Sequence, residues 1–213
     1  MTRLKKNMKN KIVNYTYCTY FSSDIKASNI SEEERNKLRK KYDLPQGKLF
    51  ISASNFIARK NNLELFDAFK NKNYNLVLYG NGPLKKQYDD YIKNNNIKNV
   101  IIRDFVASGT LMEIMSCCDC FITLSREDIY GHTTLEALAS GIPVISSENV
   151  VSSNSVIING KNGYIVSSRE EITKALENVN YLSMSNYCIE VAKQFSIEKE
   201  VDEIVRGLGG FKI

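Results

Sequence analysis

Two acidic side chains, Asp128 and Glu136, stand eight positions apart in the run SREDIYGHTTLEALASGIPV at residues 125–144, with Tyr130 and Gly131 between them. Gly131 lets the backbone approach a ligand closely. The N–H groups at 132–134, which open a helix near Thr133, form an anion site together with the helix dipole. Glu136 lies about one turn into that helix, within reach of a ribose hydroxyl pair. Asp128 precedes the glycine and would face the part of a ligand beyond its phosphates. A diphosphate flanked by two carboxylates describes a nucleotide sugar.

Two earlier loops could serve the same chemistry. Ser54-Asn55-Phe56-Ile57-Ala58-Arg59-Lys60 follows an apolar run and leads into a helical stretch. Arg59 offers a planar fork and Lys60 a point charge, both suited to phosphate at a helix start. Taken alone, such a pair also fits a solvated surface. Gly80-Asn81-Gly82-Pro83 permits unusual backbone conformations and places a proline at a first helical turn. By itself it reads as a turn or as room for a ligand.

The elements that must position these loops follow a rhythm. Short apolar runs occur at 49–53, 75–80, 99–105, 120–125, 142–146 and 163–166. Helical periodicity fills roughly 61–71, 84–95, 110–118 and 133–140 between them. Buried strands alternating with helices predict βαβ units and a parallel sheet covered on both faces. The expected class is α/β: a doubly wound, Rossmann-like sheet with a helical C-terminal extension over 169–207. Ligands in such sheets sit beyond the carboxyl ends of the strands, where these loops lie. Ahead of the sheet, Ser31 and Glu34 form a capping box that opens a helix to about Tyr42. We divide the chain into a basic arm, linking segment and capped helix (1–44), a main domain (45–207) and a tail (208–213).

Composition narrows the classes. No apolar run approaches the roughly 18 residues of a bilayer span, and the segment after the basic N-terminus is too polar for a secretory core. A cytoplasmic protein is expected. Five cysteines, three of them at 117, 118 and 120, suit free buried thiols better than a disulfide framework or a metal site. The net charge is +5, and Arg3, Lys5, Lys6, Lys9 and Lys11 supply five positive charges before the first acid, Asp24. The remaining body is nearly neutral, which argues against nucleic-acid binding. The arm itself suits a solvated tail, or contact with anionic lipid or a partner chain.

The residues quoted resemble the family 4, or group 1, glycosyltransferases, whose fold is of the two-domain GT-B type. Asp128 and Glu136 are similar to the family's acidic-x7-Glu pair, and Leu135 to Val144 match its LEAxAxGxPV run. Ile158 to Val166 resemble its Gly-rich strand, Gly80 to Pro83 its G-x-G-P loop, and Arg59-Lys60 its basic loop. The resemblance spans about 45–207 and implies the carbohydrate-donor half of the fold. It implies a retaining hexosyltransferase for a surface polysaccharide (capsule or lipopolysaccharide) or a glycolipid. It also implies no metal or other cofactor, with a UDP-, GDP- or dTDP-sugar as donor. Carried over residue by residue, donor contacts fall on Asn55, Arg59, Lys60, Gly80, Asn81, Gly82, Phe105, Val106, Tyr130, Gly131, His132, Thr133, Thr134 and Glu136. The catalytic set is Asp128 and Lys60, with Glu127 as an alternative carboxylate.

Several positions depart from the family pattern. Asp128 is one methylene shorter than the usual Glu, Ser54-Asn55 replaces Gly-Arg, Asn61 replaces a glycine, and Asp104 another. Members also carry an acceptor-binding Rossmann half before this one, whereas Met1 here falls near the interdomain segment. The expected partners are therefore a nucleotide sugar and an N-terminal half, supplied as a separate chain or lost. The alternative is a non-catalytic subunit or remnant that binds donor or a partner without transferring sugar. A nucleotide-sugar epimerase of the same architecture fits the LEAxAxGxPV context less well.

Overall fold

A computed structural model describes residues 29–129, 131–196, 198–199 and 201–202. The basic arm, the linking segment up to residue 28, Cys18, Tyr130 and the 203–213 end lie outside them. The fold below is that of the compact unit Lys26–Ala192; a second unit, Met1–Ile25 with Lys193–Ile213, lies almost wholly outside the described residues.

Six parallel strands form one sheet: β1 (Leu49–Ala53), β2 (Asn75–Tyr79), β3 (Val100–Arg103), β4 (Cys120–Thr123), β5 (Val144–Ser147) and β6 (Gly163–Val166). Their spatial order is β3-β2-β1-β4-β5-β6, so the direction of winding reverses between β1 and β4. The β1–β2 pairing runs from Leu49 opposite Asn75 to Ala53 opposite Tyr79, and β1 meets β4 with Phe50 opposite Cys120. Unbroken apolar runs make these strands because both faces are covered by helices. Leu49, Phe50, Ile51, Leu76, Val77, Leu78, Phe121 and Ile122 are all fully buried.

The helices are α1 (Glu32–Lys41), α2 (Asn62–Phe69), α3 (Lys85–Asn94), α4 (Ser108–Ser116), α5 (His132–Ala139), α6 (Ser153–Val156), α7 (Arg169–Asn178) and α8 (Tyr181–Gln194). Aromatic packing holds the β1–β2 side: Phe56 and Phe66 each meet Tyr88 at 5.4 Å between ring centroids. Among the described residues no helix is long and apolar enough to cross a membrane.

Two apolar runs are longer than the strands they contain. The run at 99–105 pairs only through Arg103, which leaves Asp104 and Phe105 in the loop above the sheet. In the run at 142–146 pairing starts at Val144, because Gly141 turns the chain at φ +77° ahead of Pro143. The short helix α6 and a 3-10 turn over Ala58–Lys60 carry too few residues to show a period.

The capping box is present: Ser31 Oγ accepts from the Glu34 amide at 3.2 Å, and Glu34 accepts from the Ser31 amide at 3.0 Å. What α1 buries is not an apolar stripe but Arg35 and Arg39. Arg35 donates to the carbonyls of Ser116 and Cys118, both at 3.0 Å, and Arg39 to that of Cys117 at 2.8 Å. These are carbonyls at the C-terminal end of α4, which the helix cannot satisfy itself. Asp119 accepts from both guanidiniums, at 2.6 and 3.0 Å, and from the Leu49 amide at 2.7 Å. One carboxylate thus ties α1 to the starts of β1 and β4. Cys117, Cys118, Cys120 and Cys188 are buried and unbridged, as free thiols packed in the core.

Candidate functional site

A cleft of about 280 Å³ opens above the carboxyl ends of β1 and β4, the point where the strand order reverses. Open α/β sheets leave room for a ligand there because the two flanking loops depart in opposite directions. Four loops build its walls.

The loop after β1 is held from beneath by the glycines after β2. A Cβ on Gly80 would lie 1.9 Å from the Ser54 carbonyl oxygen, and one on Gly82 would lie 2.8 Å from the Phe56 nitrogen. Both positions therefore exclude a side chain. Phe56, fully buried, donates its amide to the Asn81 carbonyl at 2.8 Å. Gly80 lines the cleft; Asn81 and Gly82 instead serve loop packing, Asn81 also accepting from the Gly82 amide at 2.7 Å. Asn55, Arg59 and Lys60 reach the cleft wall.

The loop after β4 meets the first loop through three contacts. The Arg126 amide donates to the Arg59 carbonyl at 2.8 Å, and the Arg59 guanidinium donates to the Glu127 carbonyl at 3.0 Å. Lys60 Nζ donates to Asp128 Oδ2 in a largely buried ion pair. Oδ1 of the same carboxylate accepts from the Gly131 amide at 3.1 Å. Burial pushes the Asp128 carboxyl up, but the Lys60 hydrogen bond, the Gly131 N–H and the charges of Lys60 and Arg59 outweigh it and hold it below the usual value.

Of the two adjacent acids, Asp128 is the one in the cleft. The Glu127 side chain is exposed outside it, and that residue contributes only its carbonyl to Arg59. The alternation of side-chain direction in an extended segment separates the neighbours.

Gly131 caps α5 in a left-handed conformation at φ +42°, and a Cβ there would lie 2.4 Å from Ser152 Oγ and 2.8 Å from Val150 Cγ1. His132 and Thr133 then line the cleft at the helix start. Thr134 corrects the sequence-based expectation. Its amide donates to the Gly131 carbonyl at 2.8 Å, so it is not a free anion donor. Its buried hydroxyl bonds Ser153 at 3.2 Å, which in turn bonds Ser146 at 2.8 Å. At position three of a helix the side chain turns onto the sheet, where a hydroxyl must find a partner. Tyr130 lies outside the described residues.

Glu136 is half-buried on α5 and accepts from Ser108 Oγ at 2.7 Å. Phe105 is 73% exposed and lines the cleft with Val106 and Leu111. Sequence reasoning did not assign Ala53, Ser54, Tyr79 and Leu111, which line the cleft, or Ser108, which bonds Glu136 beside it. Ser108 carries the available signal, being the first residue of the helix that follows a strand's carboxyl-end loop. Among the described residues no group of three or more His, Cys, Asp or Glu side chains gathers as a metal site.

The cleft can thus set two cations and a helix start against an anion, with the Asp128 carboxylate and an exposed aromatic face on its walls, while Glu136 stands one turn further along α5, outside the lining. Known proteins carry the same arrangement of chain. Residues 34–198 match the family described as glycosyl transferases group 1. An uncharacterized glycosyltransferase of Methanocaldococcus jannaschii is 26% identical over 163 residues, covering 75% of this chain and 46% of that protein. The alpha-monoglucosyldiacylglycerol synthase of Streptococcus pneumoniae is 31% identical over 127 residues, covering 56% of this chain and 29% of the synthase. The crystal structure of Anabaena HepE in complex with UDP superposes with a TM-score of 0.78 at 18% identity, over 91% of this chain and 57% of that one. The chain spans about half the length, or less, of the relatives it matches. With the match running from Glu34 within α1 through every strand and the whole cleft, the chain belongs to the group 1 glycosyl transferases.

Proposed function

We propose that the cleft binds the diphosphate and ribose of a nucleotide sugar, and that residues 45–207 act as the donor domain of a hexosyltransferase. The observation that carries this reading is the convergence of Arg59, Lys60, Asp128 and the start of α5 on one cleft at the sheet's switch point. Arg59 and Lys60 would hold the diphosphate from one side, and Gly131 with the first amides of α5 from the other. As the bond to the sugar breaks, negative charge grows on the leaving diphosphate. Fixed cations and helix amides stabilise that charge without reorganising, the role a metal often takes.

Asp128 would exchange its bond to Lys60 for a hydroxyl of the transferring sugar, and Glu136 would accept from the ribose. Phe105 offers its face to the base. In this reading the reaction retains configuration and uses no metal, and a second Rossmann-like half closes the cleft with the acceptor. A polysaccharide or glycolipid acceptor belongs to this reading, and the lipid glycosyltransferase among the relatives supports the second. Isothermal titration against UDP-, GDP- and dTDP-sugars tests the proposal. Micromolar binding of one donor, lost in Arg59→Ala and Glu136→Ala variants, is the expected result; no binding to any member of the panel overturns it.

A further inference from the structure

Ser108 is the first residue of α4 and stands between Val106 and Leu111, both on the cleft wall. Glu136 follows His132 by four positions and Thr133 by three, so it lies on the stripe of α5 that those cleft residues define. The 2.7 Å bond from Ser108 Oγ to Glu136 Oε1 therefore joins the start of α4 to the second turn of α5 beside the cleft, outside its lining. A glutamate on a helix surface has three side-chain torsions, and in solution it samples many of them. Here one oxygen is tied down, at the end of α4 where the helix dipole also favours a carboxylate. The other, Oε2, remains as an acceptor.

We propose that Ser108 is a positioning residue for sugar-nucleotide recognition: by holding Oε1 it fixes the Glu136 carboxylate so that Oε2 accepts from the ribose 2′-hydroxyl. This inference rests on the donor-binding reading above, with Glu136 taking the ribose. It goes beyond it in naming the residue that holds that carboxylate in place. A carboxylate aimed at a vicinal diol loses one acceptor–donor pair when the 2′-hydroxyl is absent. A carboxylate free to swing recovers that loss by turning to water, so discrimination falls when the tether is cut.

The test compares UDP and GDP with their own 2′-deoxy counterparts by isothermal titration, using the wild-type chain and the Glu136→Ala, Ser108→Ala and Ser108→Thr variants. Thermal melting of each variant checks folding. The wild type should prefer the ribonucleotide, and Glu136→Ala should abolish the preference. Ser108→Ala should reduce it by roughly 3- to 10-fold, the size of one net hydrogen bond. Ser108→Thr, which keeps the hydroxyl, should restore it. A Ser108→Ala variant that keeps the full preference while Glu136→Ala loses it overturns the role of Ser108 and leaves the donor reading intact. Equal wild-type affinity for ribo- and deoxyribonucleotides overturns the ribose assignment, and failure to bind any nucleotide overturns the donor reading itself.

Discussion

Lys60 Nζ and Asp128 Oδ2 form an ion pair across 68 residues of sequence, with the two side chains 13% and 19% exposed. The pair joins the loop after β1 to the loop after β4 directly over the cleft. Each partner is then held in place by an interaction that an anionic ligand would have to share or replace. Lys60→Ala is expected to weaken nucleoside-diphosphate binding by roughly 10- to 100-fold, the range of a charge-assisted hydrogen bond. Asp128→Asn frees the lysine, so UDP alone should bind at least as tightly as to the wild type while a UDP-sugar binds more weakly. Titration of both ligands into both variants decides the matter, and a parallel loss of UDP and UDP-sugar in Asp128→Asn would count against the assignment of Asp128 to the sugar.

The same carboxylate makes stability depend on acid. Its folded-state pKa lies below the ordinary value of 3.8, because Lys60, the Gly131 amide and Arg59 together outweigh burial. A depressed carboxyl contributes stability that is complete above the unfolded pKa and is lost as pH falls through the folded one. The melting temperature of the wild type should therefore fall more steeply below about pH 4 than that of Asp128→Asn. Identical acid limbs for the two proteins would show that the pair adds nothing to folding.

Gly131→Ala probes the turn between the two carboxylates. A side chain there faces both the cost of a left-handed backbone at φ +42° and the Ser152 Oγ at 2.4 Å. A loss of about 1–3 kcal/mol is expected, with weaker nucleotide binding because the start of α5 must shift. Adding Ser152→Gly should recover part of the stability in chemical denaturation, since it removes the nearer obstacle; no recovery would place the strain in the backbone and at Val150 Cγ1, 2.8 Å away.

Asp119 ties together elements that the cleft depends on. Asp119→Ala leaves the Arg35 and Arg39 guanidiniums and the Leu49 amide without their carboxylate. Breaking a buried pair by removing one partner costs roughly 3–5 kcal/mol, and Asp119 is 21% exposed, so about 2–4 kcal/mol is expected. Urea denaturation reads this directly. A change under about 0.5 kcal/mol, the size seen for ordinary surface substitutions, would mean that the arginines re-pair with backbone carbonyls.

Local order was legible from the residues alone. The apolar runs at 49–53 and 163–166 are strands β1 and β6 to the residue, and β1 is legible because a nearly unbroken buried strand needs nothing but its own side chains to declare itself. Ser31 and Glu34 close a capping box four residues long, which involves no other part of the chain. The segment from Asp128 to Glu136 likewise showed a glycine at a helix start, and Gly131 caps α5. Tertiary structure alone decided which partners meet. Nothing in the spacing of Lys60 and Asp128 brings them together; the reversal of strand order between β1 and β4 does. Adjacent acids look alike in sequence, yet only Asp128 faces the cleft while Glu127 points outward. Thr134 reads as another donor beside Thr133, but its turn of helix faces β5 and its hydroxyl joins Ser153 and Ser146 inside. Arg35 and Arg39 carry no sequence signal of their partners, and both are buried on carbonyls some 80 residues away. Periodicity reports the surface a residue covers, whereas the partner it meets depends on which loops the sheet's winding brings side by side.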